Sequence, residues 1–283
     1  MRERDMYQII TDTSALFTPE QGKEMGIEVL PLSVTIGDWE GRDLLMDMDK
    51  FYSYIKNGHL PQSSQPPIGE VIDAYEKYAG KKIINITMAD GLSGTYMSAA
   101  GAAESMDNSD DIVVVNTKTL CGPHRYIVEK AVKMQKEGKS FEEVVEWVRF
   151  AAENNESFLI PQDFGYLKRG GRLTPMAATL GTILKLKPIM TQTPDGRQLE
   201  KLGVKRTMKA ALAEVVDRLK SKGVNAEHYI MHVSHADAIG DAEYVVGLLQ
   251  EAFPDMEIQI LDLSPAFVTQ GGPKCVAVQY CIR

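Results

Sequence analysis

A strand, a glycine-containing loop and the start of a helix follow one another in the segment Asn85-Ile86-Thr87-Met88-Ala89-Asp90-Gly91-Leu92-Ser93-Gly94-Thr95-Tyr96. The apolar run at its beginning predicts a buried strand, and Gly91 and Gly94 mark the loop. The hydroxyls of Ser93 and Thr95 fall where the helix begins. They can converge on a carboxylate or phosphate together with the free N–H groups and dipole of a first helical turn. The alternative is an ordinary N-cap, since Ser and Thr satisfy many helix starts.

The first half of the chain alternates short apolar runs with helical periodicity, which predicts a parallel sheet covered by helices on both faces. We expect strands over Tyr7–Thr11, Glu28–Thr35, Lys82–Thr87 and Asp111–Asn116. We expect helices over Met48–Lys56, Gly69–Ala79, Gly94–Ser105, Pro123–Lys136 and Phe141–Asn154. Ligands of such sheets bind beyond the carboxyl ends of the strands. Three hydroxyl-rich segments are predicted at such ends: Thr11–Ser14, Ser63–Pro66 and Ser93–Thr95.

The second half predicts a different sheet. Pro194-Asp195-Gly196 is a hairpin signal between the predicted strands Lys187–Thr193 and Gln198–Lys205, because Asp-Gly suits a tight turn. Further strands are predicted over Ser157–Pro161, Tyr229–Val233, Glu257–Leu261 and Cys275–Ile282, with helices over Met176–Lys185, Thr207–Lys220 and Asp237–Ala252. The predicted fold class is α/β. We expect residues 1–156 to form a parallel α/β domain with anion-binding loops, and residues 157–283 to form a smaller α/β domain with a mostly antiparallel sheet.

Composition narrows the class of function. The chain has 283 residues and a formal net charge of −8, which argues against nucleic acid as a partner, since phosphate-backbone binding needs clustered Lys and Arg. The N-terminus lacks the apolar core of a secretory signal. Cys121, Cys275 and Cys281 show no metal-ligand spacing, and the last two lie too far apart along one strand to bridge. These features predict a reduced, cytoplasmic protein.

Candidates for catalysis are few. His232 and His235 are three residues apart near a strand end, so they face opposite sides of an extended chain and do not predict a metal site. Asp12 can be an acid, a metal ligand or a loop cap. The basic residues Lys168, Arg169 and Arg172 can meet an anionic partner or form a solvated surface. Physical reasoning alone predicts a two-domain α/β protein that binds a small ligand with an anionic head.

Six short motifs occur in order along the chain: Asp12-Thr13-Ser14, Ser63-Ser64-Gln65-Pro66, Leu92-Ser93-Gly94-Thr95-Tyr96, Gly170-Gly171-Arg172-Leu173, Lys187-Pro188-Ile189 and Arg206-Thr207. In this order and spacing they resemble the DegV family, whose members act as the fatty-acid-binding subunit of a bacterial fatty acid kinase. The resemblance covers almost the whole chain. It implies a parallel α/β domain followed by a smaller α/β domain, with the lipid between them, and a place in phospholipid metabolism.

The resemblance also implies roles for individual residues. The carboxylate of a long-chain fatty acid is expected at the turn Ser93-Gly94-Thr95, with help from Ser63 and Ser64, and the acyl tail in an apolar tunnel. The protein itself is expected to be non-catalytic, because a separate ATP-dependent kinase forms the acyl phosphate. Arg206 resembles a residue implicated in docking that kinase, and Arg172 with its basic neighbours can extend the docking surface. The resemblance implies no metal or cofactor, and it allows transient contact with a membrane.

One motif departs from the family pattern. The family typically reads His-x-Gly-Pro-Gly near the C-terminus, where this chain reads Gln270-Gly271-Gly272-Pro273-Lys274. Gln270 can hydrogen-bond a carboxylate, but unlike imidazole it cannot carry a proton. Lys274 can supply a charge or point to solvent. The competing interpretation of the chain is an enzyme that acts on a small phosphorylated or carboxylated metabolite through Asp12 and the Ser93 loop.

Overall fold

The computed structural model describes residues 7–180 and 186–283, and the chain divides into two compact units, residues 1–153 and 154–283. The strands of the first unit are β1 (Gln8–Asp12), β2 (Glu28–Leu30), β3 (Ser33–Ile36), β4 (Trp39–Arg42), β5 (Gln62–Ser64), β6 (Ile83–Thr87) and β7 (Ile112–Asn116). Its α-helices are α1 (Pro19–Met25), α2 (Met48–Lys56), α3 (Ile68–Lys77), α4 (Thr95–Glu104), α5 (Cys121–Lys136) and α6 (Phe141–Ala152). Short 3-10 turns occupy Thr13–Ala15 and Ser109–Asp111.

The second unit begins with a strand. Its strands are β8 (Asn155–Ile160), β9 (Lys187–Gln192), β10 (Leu199–Lys205), β11 (Tyr229–His235), β12 (Ile258–Asp262) and β13 (Val276–Ile282). Its helices are α7 (Phe164–Gly170), α8 (Pro175–Ala178), α9 (Met208–Ser221), α10 (Ile239–Ala252) and α11 (Pro265–Gly271). Among the described residues of the predicted helix Met176–Lys185, only Met176–Ala178 are helical, as part of α8, and residues 181–185 lie outside the described residues.

Four strands of the first unit form a parallel sheet in the order β2-β1-β6-β7. Every residue of β1 and β6 is buried, as expected of central strands covered on both faces. Ile10 and Ile83 pack with Val71 and Tyr75 of α3 and with Ala99 of α4. α6 contacts β6 and β7. The prediction of a parallel sheet with helical cover is confirmed.

A three-stranded antiparallel sheet in the order β4-β3-β5 is absent from the sequence prediction. The prediction of one continuous strand over Glu28–Thr35 is wrong, since β2 ends before Pro31. Proline has no N–H group to donate to a neighbouring strand. The chain resumes as β3 and turns back at Gly37-Asp38, with Ile36 paired to Trp39. A Gly-containing dipeptide between apolar residues is itself a hairpin signal. The hairpin between β3 and β4 therefore has a signal in the sequence, which the prediction of one strand over Glu28–Thr35 did not use.

Six strands of the second unit form one sheet in the order β10-β9-β8-β13-β11-β12. Every neighbouring pair is antiparallel except β11 and β12. Phe158 of β8 and Val278 of β13 pack with Leu212 of α9 and Leu249 of α10 in one buried cluster. The predicted hairpin is confirmed, since β9 and β10 pair across a turn in which Gly196 has φ +73°. The mostly antiparallel second sheet is confirmed with it.

All three cysteines lie within the described residues, are buried and form no disulfide, which agrees with the prediction that Cys275 and Cys281 do not bridge. His232 and His235 both belong to β11, which runs two residues beyond the predicted strand Tyr229–Val233. Across residues 7–180 and 186–283, we find no helix with the length and apolar character that a bilayer span requires.

A buried histidine joins α5 to the end of β1. His124 is fully buried, and its Nδ1 lies 2.8 Å from Ser14 Oγ. Its Nε2 lies 3.1 Å from Thr11 Oγ1 and 3.2 Å from the Ile86 carbonyl oxygen. These contacts fit a neutral ring that accepts from Ser14 at Nδ1 and donates from Nε2. Burial lowers the pKa of His124, and this effect outweighs the nearby Asp12 carboxylate, which raises it.

We expect His124 to make stability depend on pH. Its pKa is lowered in the folded chain, so the unfolded chain binds the extra proton below its ordinary pKa of about 6.5. The free energy of unfolding should therefore be highest above that pH and fall as the pH drops, by up to about 1.4 kcal/mol per pH unit from this group. Urea denaturation of wild type and His124→Gln across this range measures the difference.

The His124→Gln variant should show the shallower pH dependence, whatever its absolute stability. The matched control is His228→Gln, which removes an exposed imidazole and should retain the wild-type slope. Equal slopes for wild type and His124→Gln would contradict a neutral, buried His124.

Candidate functional site

The loop that follows β6 is fixed from both neighbouring strands of the parallel sheet. The Met88 N–H donates to Asp12 Oδ2 at 3.2 Å, and Asp12 ends β1. The Asp90 N–H donates to Asn116 Oδ1 at 3.1 Å, and Asn116 ends β7. Since β1 and β7 flank β6, the loop is held on each side by a side chain from a strand end. Sequence reasoning missed Asn116, although an amide at the carboxyl end of a predicted strand is a signal for such a role.

Asp12 is a structural cap. Its side chain is buried, and Oδ1 accepts the Ser14 N–H at 2.9 Å while Oδ2 accepts the Met88 N–H. Each carboxylate oxygen thus accepts a hydrogen bond from a backbone N–H group, which would be costly to bury without a partner. The loop-cap interpretation accounts for these contacts, whereas a general acid or metal ligand needs an oxygen that faces its substrate or ion.

The start of α4 differs from an ordinary N-cap. Gly94 occupies the N-cap position and has no side chain with which to cap the first turn. Ser93 precedes the cap and Thr95 is the first helical residue, with their hydroxyl oxygens 2.9 Å apart. Ser93 Oγ also accepts the Thr95 N–H at 3.3 Å. Because the N-cap residue supplies no side chain, the other backbone N–H groups of this first turn can receive an anion.

Ser63 and Ser64 lie in a strand, which corrects their prediction as a loop beyond a parallel strand. They belong to β5, which pairs antiparallel with β3 and places Ser63 opposite Val34 and Ser64 opposite Ser33. Successive residues of a strand point to opposite faces, so the two hydroxyls do not share a side. Ser63 shares the face of the fully buried Val34. Only one of the two serines can therefore face a given head group.

Gln65 brings this strand against the start of α4. Its side chain lies so close to Gly94 that a Cβ at that glycine would be 2.2 Å from Gln65 Oε1. The structure thus places the predicted segments Ser63–Pro66 and Ser93–Thr95 side by side. Sequence reasoning named Gln65 only as part of its motif.

The other predicted site residues belong to the second unit. Gln270 lies near the end of α11, and a Cβ at Gly170 of α7 would be 1.8 Å from its Oε1. Arg172 donates to the Gly170 carbonyl oxygen. Arg206 is exposed between β10 and α9, and Lys168 and Arg169 are in the last turn of α7.

Lys274 stands where the family pattern has its last glycine, and it adopts a left-handed backbone with φ +63°. Such a conformation favours glycine, because a Cβ crowds the backbone there. Its ammonium lies 2.5 Å from Asp237 Oδ2 and also donates to the Asp237 carbonyl. The charge of Lys274 is therefore engaged by Asp237.

No group of three or more His, Cys, Asp or Glu residues suited to a metal ion occurs within the described part of the chain. The candidate site offers hydroxyl, carboxamide and backbone N–H groups. Because these groups can donate hydrogen bonds, they suit an organic anion better than a cation.

A family model described as "Uncharacterised protein, DegV family" matches residues 6–283. A DegV domain-containing protein of Staphylococcus aureus (strain N315) is 31% identical over 251 residues, which are 87% of this chain and 88% of the relative. These matches span both units.

Solved structures agree with the match. The crystal structure of DegV from Bacillus subtilis, described as a fatty acid binding protein, has a TM-score of 0.83 at 26% identity, covering 98% of this chain and 99% of that chain. A DegV-family protein from Ruminococcus gnavus, refined with vaccenic acid, has a TM-score of 0.84 at 27% identity, covering 96% and 99%. Fatty acids are thus ligands of related structures, and the chain described here belongs to the DegV family.

Proposed function

We propose that this protein binds a long-chain fatty acid and presents it to a separate ATP-dependent kinase, which forms the acyl phosphate. The observation that carries the proposal is the paired hydroxyls of Ser93 and Thr95 at a helix start whose cap is Gly94. A carboxylate there accepts hydrogen bonds from hydroxyl and backbone donors and meets the positive end of the helix dipole. The vaccenic acid of the Ruminococcus gnavus structure supports the same class of ligand.

Other residues would complete the head-group site. We propose one hydroxyl of Ser63 and Ser64 as a donor, since β5 lies beside the start of α4 through Gln65. Gln270 is proposed as a further donor in place of the family histidine. No step of this binding uses a metal or a cofactor.

The acyl tail would supply most of the affinity. Burying a methylene group contributes about 0.8 kcal/mol, whereas each hydrogen bond to a charged group adds about 1.5–3 kcal/mol. A long tail in an apolar tunnel therefore outweighs the head group in affinity, and the head group fixes orientation.

Phosphoryl transfer is assigned to the partner kinase. In this protein Asp12, the acid of the competing enzyme hypothesis, is buried and bonds two backbone N–H groups. Arg206 and Arg172 are proposed to dock the kinase, because Arg206 is exposed and Arg172 follows the basic end of α7. The cycle would run in the cytoplasm, where buried thiols such as that of Cys121 stay reduced.

Replacement of the central hydroxyl gives a direct test. Ser93→Ala should weaken binding of a C18 fatty acid about tenfold, because it removes one hydrogen bond to a charged group. Titration calorimetry measures the change in Kd. The matched control is Ser105→Ala, which removes a hydroxyl that bonds the Ala102 carbonyl at the far end of α4 and should leave Kd unchanged. An unchanged Kd in Ser93→Ala would remove this residue from the site.

Identification of the ligand tests the carrier itself. We expect protein purified without added lipid to release a fatty acid on denaturation, and the delipidated protein to take one up. Native mass spectrometry followed by lipid extraction detects both events. A chain that neither carries nor takes up any fatty acid would overturn the proposed function.

Docking is separable from binding. Arg206→Glu should preserve the Kd for fatty acid and lower the rate of acyl phosphate formation with the partner kinase by about tenfold or more, since charge reversal at an interface is costly. Arg149→Glu is the control, because Arg149 is an exposed arginine on α6. Equal rates for both variants would exclude Arg206 from the docking surface.

A further inference from the structure

Gly94 leaves space for a neighbouring side chain, and its backbone conformation does not itself require glycine. Its φ of −74° and ψ of 2° are accessible to any L-residue. A side chain at this position would displace the Gln65 carboxamide, because a Cβ would lie 2.2 Å from Gln65 Oε1 and 3.1 Å from Gln65 Cδ. The glycine thus makes room for one specific group, the Gln65 carboxamide, over the N-cap of α4.

The backbone of Gln65 is held on both sides. Ser64 before it is paired with Ser33 in the antiparallel sheet. Pro66 and Pro67 follow, and Pro67 is the residue that caps α3. A residue that precedes proline is restricted to extended conformations. Gln65 is exposed, but its backbone is restricted on both sides. The carboxamide is therefore presented to solvent from a rigid backbone. Ordering it around a ligand costs little backbone entropy.

The chemistry of a carboxamide suits this position. It is neutral and has two N–H donors. It lies against Gly94, the residue between Ser93 and Thr95, whose hydroxyls lie 2.9 Å apart. We propose that Gln65 is a head-group ligand that selects carboxylates over neutral head groups, and that Gly94 serves to admit it. The proposal rests on the proposed function, because it concerns the same fatty acid site. A carboxylate accepts charge-assisted hydrogen bonds from the Gln65 N–H groups, whereas an alcohol accepts only a neutral hydrogen bond, which is weaker.

The first test compares two ligands that differ only in the head group. Vaccenic acid and the corresponding alcohol are titrated into wild type, Gln65→Leu and Gln65→Glu. We expect wild type to prefer the acid, and Gln65→Leu to narrow the acid-to-alcohol ratio of affinities about fivefold. Gln65→Glu should weaken the acid about tenfold or more, because two carboxylates repel, and leave the alcohol unchanged. A purely structural role for Gln65 would change both ligands alike.

The second test is a double-mutant cycle on fatty acid binding. Gly94→Ala should weaken vaccenic acid about fivefold in the wild-type background, because it displaces the Gln65 carboxamide. In the Gln65→Ala background the same change should cost less than about twofold. Gly101→Ala is the control, since Gly101 lies in the same helix and a Cβ there meets no described atom within 4 Å. Additive effects of Gly94→Ala and Gln65→Ala would overturn the link between the two residues.

The outcomes separate this inference from the function beneath it. If wild type binds neither ligand, the proposed function and the role of Gln65 fall together. If wild type binds vaccenic acid and Ser93→Ala weakens it, while Gln65→Leu keeps the wild-type ratio of acid to alcohol, only the role of Gln65 is overturned. The role of Gln65 is supported if Gln65→Leu narrows the acid-to-alcohol ratio of affinities and if the effects of Gly94→Ala and Gln65→Ala are not additive.

Discussion

The carboxylate of Asp12 is the contact on which the candidate site depends. It joins the 3-10 turn after β1 to the loop after β6, because it accepts the N–H of Ser14 in the turn and that of Met88 in the loop. Two buried backbone donors are satisfied by one charged acceptor, which is stronger than a neutral one. Asn116 holds the other side of the same loop. The hydroxyls of Ser93 and Thr95 therefore start from a backbone that the sheet has already positioned.

Burial patterns explain what could be predicted of the fold. The apolar runs around β1 and β6 are continuous, because both faces of these strands are covered, and such runs identify a parallel sheet. The three-stranded sheet escapes the same reasoning. Its strands are three or four residues long, and β5 consists of Gln62, Ser63 and Ser64, which have no apolar pattern. Only pairing with β3 makes this segment a strand, and pairing is a property of the whole chain.

The candidate site was predictable in composition but not in geometry. Spacing places Ser93 and Thr95 near a helix start, but it does not say which residue is the N-cap. The structure assigns that position to Gly94, so the two hydroxyls bond each other. Similarly, the adjacent serines Ser63 and Ser64 look equivalent in sequence, and the pleat of β5 separates them. A contact between residues far apart in the chain, such as Gln65 with Gly94, has no local signal.

Every side chain proposed to meet the head group is neutral: Ser63 or Ser64, Gln65, Ser93, Thr95 and Gln270. Lys274, the cation in the same motif as Gln270, is paired with Asp237. A carboxylate would therefore meet hydroxyls, amides and the partial charge of a helix start, which hold it less strongly than a bidentate arginine. Affinity must then come mainly from the tail, at about 0.8 kcal/mol per buried methylene. This division suits a carrier, because a head group held by neutral donors can pass to a second protein without the rupture of an ion pair.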